Sequence, residues 1–233
     1  MRVLGIDLSS SEKGTSTCII DFQGDAGRCH SPRERCPDTV LDSLIEDADA
    51  VGVDAPLGWP VKFKEAVSDW RHKAWDSAIR DELRYRETDR VVRKEIGRWP
   101  LSVSSDLIAL PAMRAMALLE RHGVEDKRGG DQGFYEVYPA ASLRIWDLYE
   151  RGYKKSMEAR RRILSALQAK FPNIRVQDEY ASTGDNLDSL VAAITVKEAF
   201  GGGTLAPSAS QLESATNEGW IHLPTSQDLN KDA

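Results

Sequence analysis

Cysteine is scarce in this chain, which carries only Cys18, Cys29 and Cys36. Three irregularly spaced thiols exclude a disulfide framework and a zinc ribbon, so they read as reduced. Histidine is nearly as rare, and His30, His72, His122 and His222 show no metal-ligand spacing. Long apolar runs are missing too. No stretch approaches the roughly 18 residues a membrane helix requires. The opening "MRVLGIDLSS" enters a strand directly, without the apolar stretch and cleavage site of a secretory signal. The expected setting is therefore the cytoplasm, away from membranes and with no obligate protein partner. Positive charge is not in surplus, because 31 Lys and Arg face 37 Asp and Glu for a net charge of −6. That balance excludes indiscriminate coating of nucleic acid but leaves room for a local basic groove.

What is present describes a globular protein: 233 residues, 41% hydrophobic and 29% charged. The expected organisation is one domain over 1–233 with a helical insertion at about 60–104. Residues 2–8 (RVLGIDL) and 51–54 (VGVD) are dense apolar runs, typical of strands covered on both faces. Between them Thr15–Phe22 is β-rich and follows the turn signal Glu12-Lys13-Gly14, so it should hairpin back on the first strand. A third short strand falls near Gly27–Ser31. Pro37–Asp47 then has Val40, Leu41, Leu44 and Ile45 at helical spacing.

After Pro60 the texture changes. Residues 61–98 are rich in Trp and charge, and from Arg71 to Arg98 nine basic residues face six acidic ones. A helix is expected over Ser105–Arg121, with Pro111 marking either a kink or a later start near Leu110. "GFYEVYPAAS" returns to strand before Pro139 opens a helix through about Tyr149. Further helices are expected over 156–170 and Asn186–Ala199, and "GWIHLP" reads as a short strand. "GGG" at 201–203 follows a helix and should simply stop it.

The acids stand out against this frame. On alternating strand faces, Gly5 shares a side with Asp7, and Gly52 with Asp54. A glycine two residues before each acid suggests open space beside the carboxylate, suited to a ligand. In "GDNLDSLVAAITV", Asp188 falls at the flank of the stripe formed by Leu187, Leu190, Val191 and Ile194, with Asp185 one turn earlier. Plainer readings exist: Asp185 as an N-cap, Asp7 binding the amides of Ser9–Ser11, and Asp54 setting the turn before Pro56. All four together are harder to explain that way. Clustered carboxylates repel one another unless cations occupy them, and oxygen ligands of this kind suit Mg²⁺ or Mn²⁺. Metal-dependent phosphoryl transfer is the chemistry that follows.

The order "GIDLSSSEKGTS", "GVDAPLG", "DNLD" resembles the RNase H-like superfamily, and the final helix with two acids three apart resembles that of bacterial Holliday-junction resolvases. "VDAPLGWP", "YRETDR", "YEVYPAAS" and "DNLDSLVAAI" together resemble domain-of-unknown-function family 429, described as predicted RNase H-like nucleases. The resemblance implies an α/β fold in which a mixed β-sheet is flanked by helices, with a largely helical insertion after the fourth strand. It implies a nuclease acting on DNA or RNA, with Asp7, Asp54, Asp185 and Asp188 as ligands of Mg²⁺ or Mn²⁺. Glu136 is either a further site acid or a buried structural one. Arg86 either binds a substrate phosphate, is held by Asp89, or forms with it a solvated helical pair. Ser9 and Lys13 are further phosphate contacts. The run Arg151–Arg162, six basic residues against one acid, is either a solvated helix face or a grip on a nucleic-acid backbone. Trp59, Trp70, Trp75 and Trp99 either stack on bases or anchor the insertion. Two other classes compete: an actin-like nucleotide-binding phosphotransferase or ATPase, and a non-catalytic nucleic-acid-binding domain of the same fold.

Overall fold

The computed structural model describes residues 1–69, 77–130 and 133–225. Strand β1 (Arg2–Asp7) turns through a 3-10 segment at Glu12–Gly14 into β2 (Ser16–Gln23), and β3 (Ala26–Cys29) continues the antiparallel meander. A two-residue strand that the sequence did not suggest, β4 (Arg33–Glu34), pairs with β2. Helix α1 (Asp38–Glu46) then crosses over to β5 (Ala50–Asp54), which lies parallel to β1. The expected fourth strand is thus fifth in chain order.

Helices α2 (Val61–Ser68), α3 (Arg80–Arg84), α4 (Glu87–Ile96) and α5 (Ala109–Arg121) follow. Pro111 sits in the first turn of α5, where its missing amide costs nothing, so the later start holds rather than the kink. Trp70, His72 and Trp75 lie outside the described residues. Strand β6 (Phe134–Val137) and α6 (Pro139–Ile145) come next. This helix stops four residues short of Tyr149, because Asp147 takes a left-handed φ of 59°. Helix α7 (Met157–Lys170), β7 (Ile174–Arg175), α8 (Gly184–Phe200), α9 (Leu212–Glu218) and β8 (Ile221–His222) complete the chain.

The sheet runs β7-β3-β2-β1-β5-β6-β8, antiparallel across β3-β2-β1 and parallel through β1-β5-β6-β8. This mixed sheet between helices is consistent with an RNase H-like fold. Strand alternation divides the core. Val3, Ile20, Ala50, Tyr135 and Val137 pack beneath α7 and α8, while Leu4, Ile6, Val51, Val53 and Phe134 pack against α1 and α5. Cys18, Cys29 and Cys36 are free and buried, as three reduced core thiols should be. Among the described residues no helix is long and apolar enough to cross a membrane.

Helix α8 departs most from expectation. It is buried nearly all round rather than along a stripe, since it crosses the middle of the sheet and meets β1, β2 and β5. The glycines explain how it gets there. A Cβ on Gly5 would overlap the Ser189 carbonyl and the Ala193 amide, and one on Gly52 would stand 2.9 Å from the Ala192 carbonyl. The room over the two glycines is therefore not the ligand space that the sequence suggested. The backbone of α8 fills it.

Candidate functional site

The parallel register of β1 and β5 pairs Asp7 directly with Asp54 at the carboxyl ends of the two central strands. Ligands of open α/β sheets gather at such strand ends. Both acids point to the face covered by α8, which brings Asp188, only 1% exposed, to the same place. Thr183 caps α8 by accepting the Asn186 amide at 3.0 Å, so Asp185 is not the N-cap but a half-buried first-turn acid.

The electrostatics are those of crowded carboxylates. Burial, then Asp54 and Asp188, push Asp7 well above the usual carboxylate range, and Asp185 adds to the effect. Burial raises Asp54 to about 7, with Lys154 pulling against it and Asp188 adding to it. Burial also raises Asp188 against the pull of Lys154. Oδ2 of Asp7 is buried without a hydrogen-bond partner, and the Ser9 amide turns instead to Thr15 Oγ1 at 3.3 Å. The turn reading of Asp7, in which it binds the Ser9 amide, therefore fails.

Lys154 supplies the positive charge among these acids. Its Nζ lies 2.6 Å from Asp188 Oδ2, out of line for a hydrogen bond, while its stem stays 56% exposed. Burial would lower its pKa, but Asp188, Asp54 and Asp7 outweigh burial and raise it. Tyr153 donates from its hydroxyl to Asp188 Oδ1 at 2.6 Å and fixes that carboxylate's rotamer. Neither residue was singled out from the sequence, where both sit in the basic run. That run is divided in its work. Arg160 is buried and donates to the carbonyls of Tyr153, Ala181 and Ser182, and Arg162 pairs with Glu150 and Glu158 at the surface. Among the described residues no three His, Cys, Asp or Glu side chains form a ready-made metal-holding group.

Glu136 reaches the same cleft from the other side of the sheet and adds its negative charge to Asp54. It pairs in register with Val53 and so lies on the opposite face of the sheet from Asp54. There it accepts two hydrogen bonds from Arg86, at 2.8 and 2.7 Å, and one from the Leu57 amide at 2.9 Å. Asp89 takes the rest of the Arg86 fork and its backbone amide, closing the start of α4. Arg86 and Asp89 are thus not a solvated pair, being 2% and 0% exposed with the guanidinium saturated by protein acceptors, and Asp89 holds Arg86 where it lines the cleft beside Asp7 and Asp54. The network has a clear mechanical role. It ties the "APLGWP" turn after Asp54 to the insertion, and Glu218 reinforces it by accepting the amides of Val61 and Glu87 at the starts of α2 and α4. The sequence signal was "YRETDR" itself, an acid at the third helical position reaching back to the residue before the helix.

Lys13 is exposed and Ser9 half-buried on the loop after β1. Trp59 is half-buried, and Trp99 stacks on Tyr85 at 3.9 Å between ring centroids. Beside the acids opens a cleft of about 240 Å³, whose lining joins Asp7, Asp54, Glu136, Arg86 and Lys154 to apolar Pro56, Leu101, Ile108 and Pro111.

A family model for proteins of unknown function, DUF429, matches residues 5–211. The chain belongs to the DUF429 family. The matched span takes in the Asp7, Asp54 and Asp188 strand ends and helix of this DUF429 protein as well as Arg86, Asp89 and Glu136, while Glu218 lies beyond it. Comparison with the curated proteins gave no match, and comparison with the solved structures gave none either.

Proposed function

We propose that this DUF429 protein is a divalent-metal-dependent nuclease whose carboxylate cluster cleaves a phosphodiester bond. The observation that carries the reading is the convergence of Asp7, Asp54 and Asp188, with a buried Asp7 oxygen lacking any partner and burial holding the acids toward protonation. Buried carboxylates held this way bind a cation in place of protons. The donor chemistry, all oxygen with no thiol or imidazole, is the kind that Mg²⁺ or Mn²⁺ takes. Asp7, Asp54 and Asp188 would hold the ion, and Asp185 supplies a further oxygen. A bound ion of this kind supplies an acidified water and stabilises charge on the leaving oxygen.

The chain's own residues prepare that chemistry. Tyr153 holds Asp188 in one rotamer, the close approach of α8 to Gly5 and Gly52 sets the depth of Asp188, and the β1–β5 register sets Asp7 against Asp54. Lys154 balances the charge while no ion is bound. Its exposed stem allows the ammonium to swing onto a phosphate oxygen of the substrate.

The test is cleavage of single-stranded, duplex and branched DNA and of RNA in Mn²⁺ and in Mg²⁺, beside Asp7→Asn and Asp54→Asn. The expected result is metal-dependent cleavage by the unaltered protein, reduced at least a hundredfold in both variants. Cleavage retained in both would overturn the assignment.

A further inference from the structure

The cleft beside the acids has a mixed lining. Charged groups, Asp7, Asp54, Glu136, Arg86 and the half-exposed Lys154, share the lining with a larger apolar surface that includes Pro56, Leu101, Ile108 and Pro111. Tyr138 adds an aromatic ring to the lining. Phosphate alone needs no such apolar surface, and an aliphatic floor would only desolvate it at a cost. That surface calls for a flat apolar group covalently attached to the phosphate.

Size narrows the choice. A volume of about 240 Å³ holds about eight waters at roughly 30 Å³ each, and lies below the ~300–1,000 Å³ typical of sites for larger ligands. One ring system fits this volume. In a duplex both faces of each base are covered by its neighbours, so a base reaches such a pocket only after leaving the stack, which is easiest when it is unpaired.

We propose that this pocket seats one unpaired nucleobase, with the attached phosphate at the Asp7–Asp54 edge, so that the substrate is a single-stranded end or an unpaired stretch of nucleic acid. This rests on the nuclease reading for the phosphate and adds the recognition of its base. The base stacks on the Tyr138 ring and packs against the proline and aliphatic surface. Sequence preference is then weak, because every base offers an apolar face. The insertion, which delivers Leu101, and the start of α5, which delivers Ile108, set the selectivity for unpaired strands.

Binding is measured separately from turnover, with Ca²⁺ replacing Mn²⁺ and a 2-aminopurine reporter in a short oligonucleotide. The single strand should bind about tenfold more tightly than the blunt duplex of the same sequence, and removing the reporter's base should cost about tenfold. Leu101 is 58% exposed, so Leu101→Asn keeps the fold. It and Tyr138→Leu should each weaken single-strand binding about fivefold or more while leaving the melting gain with Mn²⁺ unchanged. Equal affinity for single strand and duplex, or single-strand binding untouched by both variants, overturns the base pocket. Metal-dependent cleavage that ignores pairing sinks the pocket and leaves the nuclease standing. Base-dependent, pocket-dependent binding without cleavage of any substrate sinks the nuclease and leaves the pocket standing.

Discussion

Replacing Asp54 by Asn should make the metal-free protein more stable, not less, by a gain that opens above about pH 4 and is complete near pH 7. A carboxyl whose folded pKa lies above its unfolded one contributes no penalty below about pH 4. It destabilises the fold increasingly as the pH rises to the folded value, and the penalty is constant beyond it. For Asp54 the rise is from 3.8 to about 7, which corresponds to ~4 kcal/mol at ~1.4 kcal/mol per pH unit. Asn has nearly the same shape and no charge to desolvate. The Asn amide must itself be desolvated in the same place, so about half of that, ~2 kcal/mol, is the expected net gain. For a protein of this size this means ~4–8 °C in Tm. The assay is a melting series from pH 4 to pH 8 in a chelating buffer, repeated with Mn²⁺. The Asn variant should melt with the parent near pH 4, exceed it increasingly up to pH 7, and gain less from Mn²⁺. A variant less stable than the parent at pH 8 without metal would refute the reasoning, because Asp54 would then be a satisfied structural acid.

Other consequences can be measured in the same way. Arg86→Met leaves Asp89 and Glu136 buried without their cation, and chemical unfolding should show a loss of ~3–5 kcal/mol; a loss below ~1 kcal/mol would mean the network is solvated in solution. Gly5→Ala should destabilise more than Gly52→Ala, with the first at or beyond the ~1–3 kcal/mol typical of overpacking, because the Gly5 position abuts the Ser189 carbonyl and Ala193 amide of α8. His222 accepts from Thr204 at 3.0 Å, donates to the Arg128 carbonyl at 2.7 Å, and is pulled by burial to about 4. Its contribution is therefore present above about pH 6.5 and lost as the pH falls toward 4, and an imidazole proton titrating near 6.5 in NMR would contradict it. Lys154→Met removes the cation among the acids, so carboxyl NMR should find Asp54 titrating above 7 and the melting gain with Mn²⁺ should increase.

The sequence was most legible where a residue's neighbours in the chain decide its place. Strand alternation put Asp7 and Asp54 on one face, and the stop signals located the ends of α5, α7 and α8 to within a residue, while the expected start of α5 at Ser105 lay four residues early. What it could not supply was what covers each face. The same parity that placed Gly5 and Gly52 correctly left their role open, and only the path of α8 across the sheet shows that a helix backbone occupies the room they leave. Charge misled for a related reason. In "RYRETDR" and in the run from Arg151 to Arg162, composition indicates solvent, yet Arg86 and Arg160 are buried because acceptors distant in sequence saturate them. Lys154 lay hidden in that run, since nothing local distinguishes it from Lys155.

The glycine seats of α8 have a consequence for anyone who would move this cluster to another scaffold. Four carboxylates copied onto a similar sheet would stand farther apart, because an ordinary side chain at either glycine would hold the helix away and carry Asp188 with it. The portable unit is therefore six residues, two of them without side chains. In a search of other sequences, a glycine two places ahead of each strand-end acid would be as telling a mark as the acids.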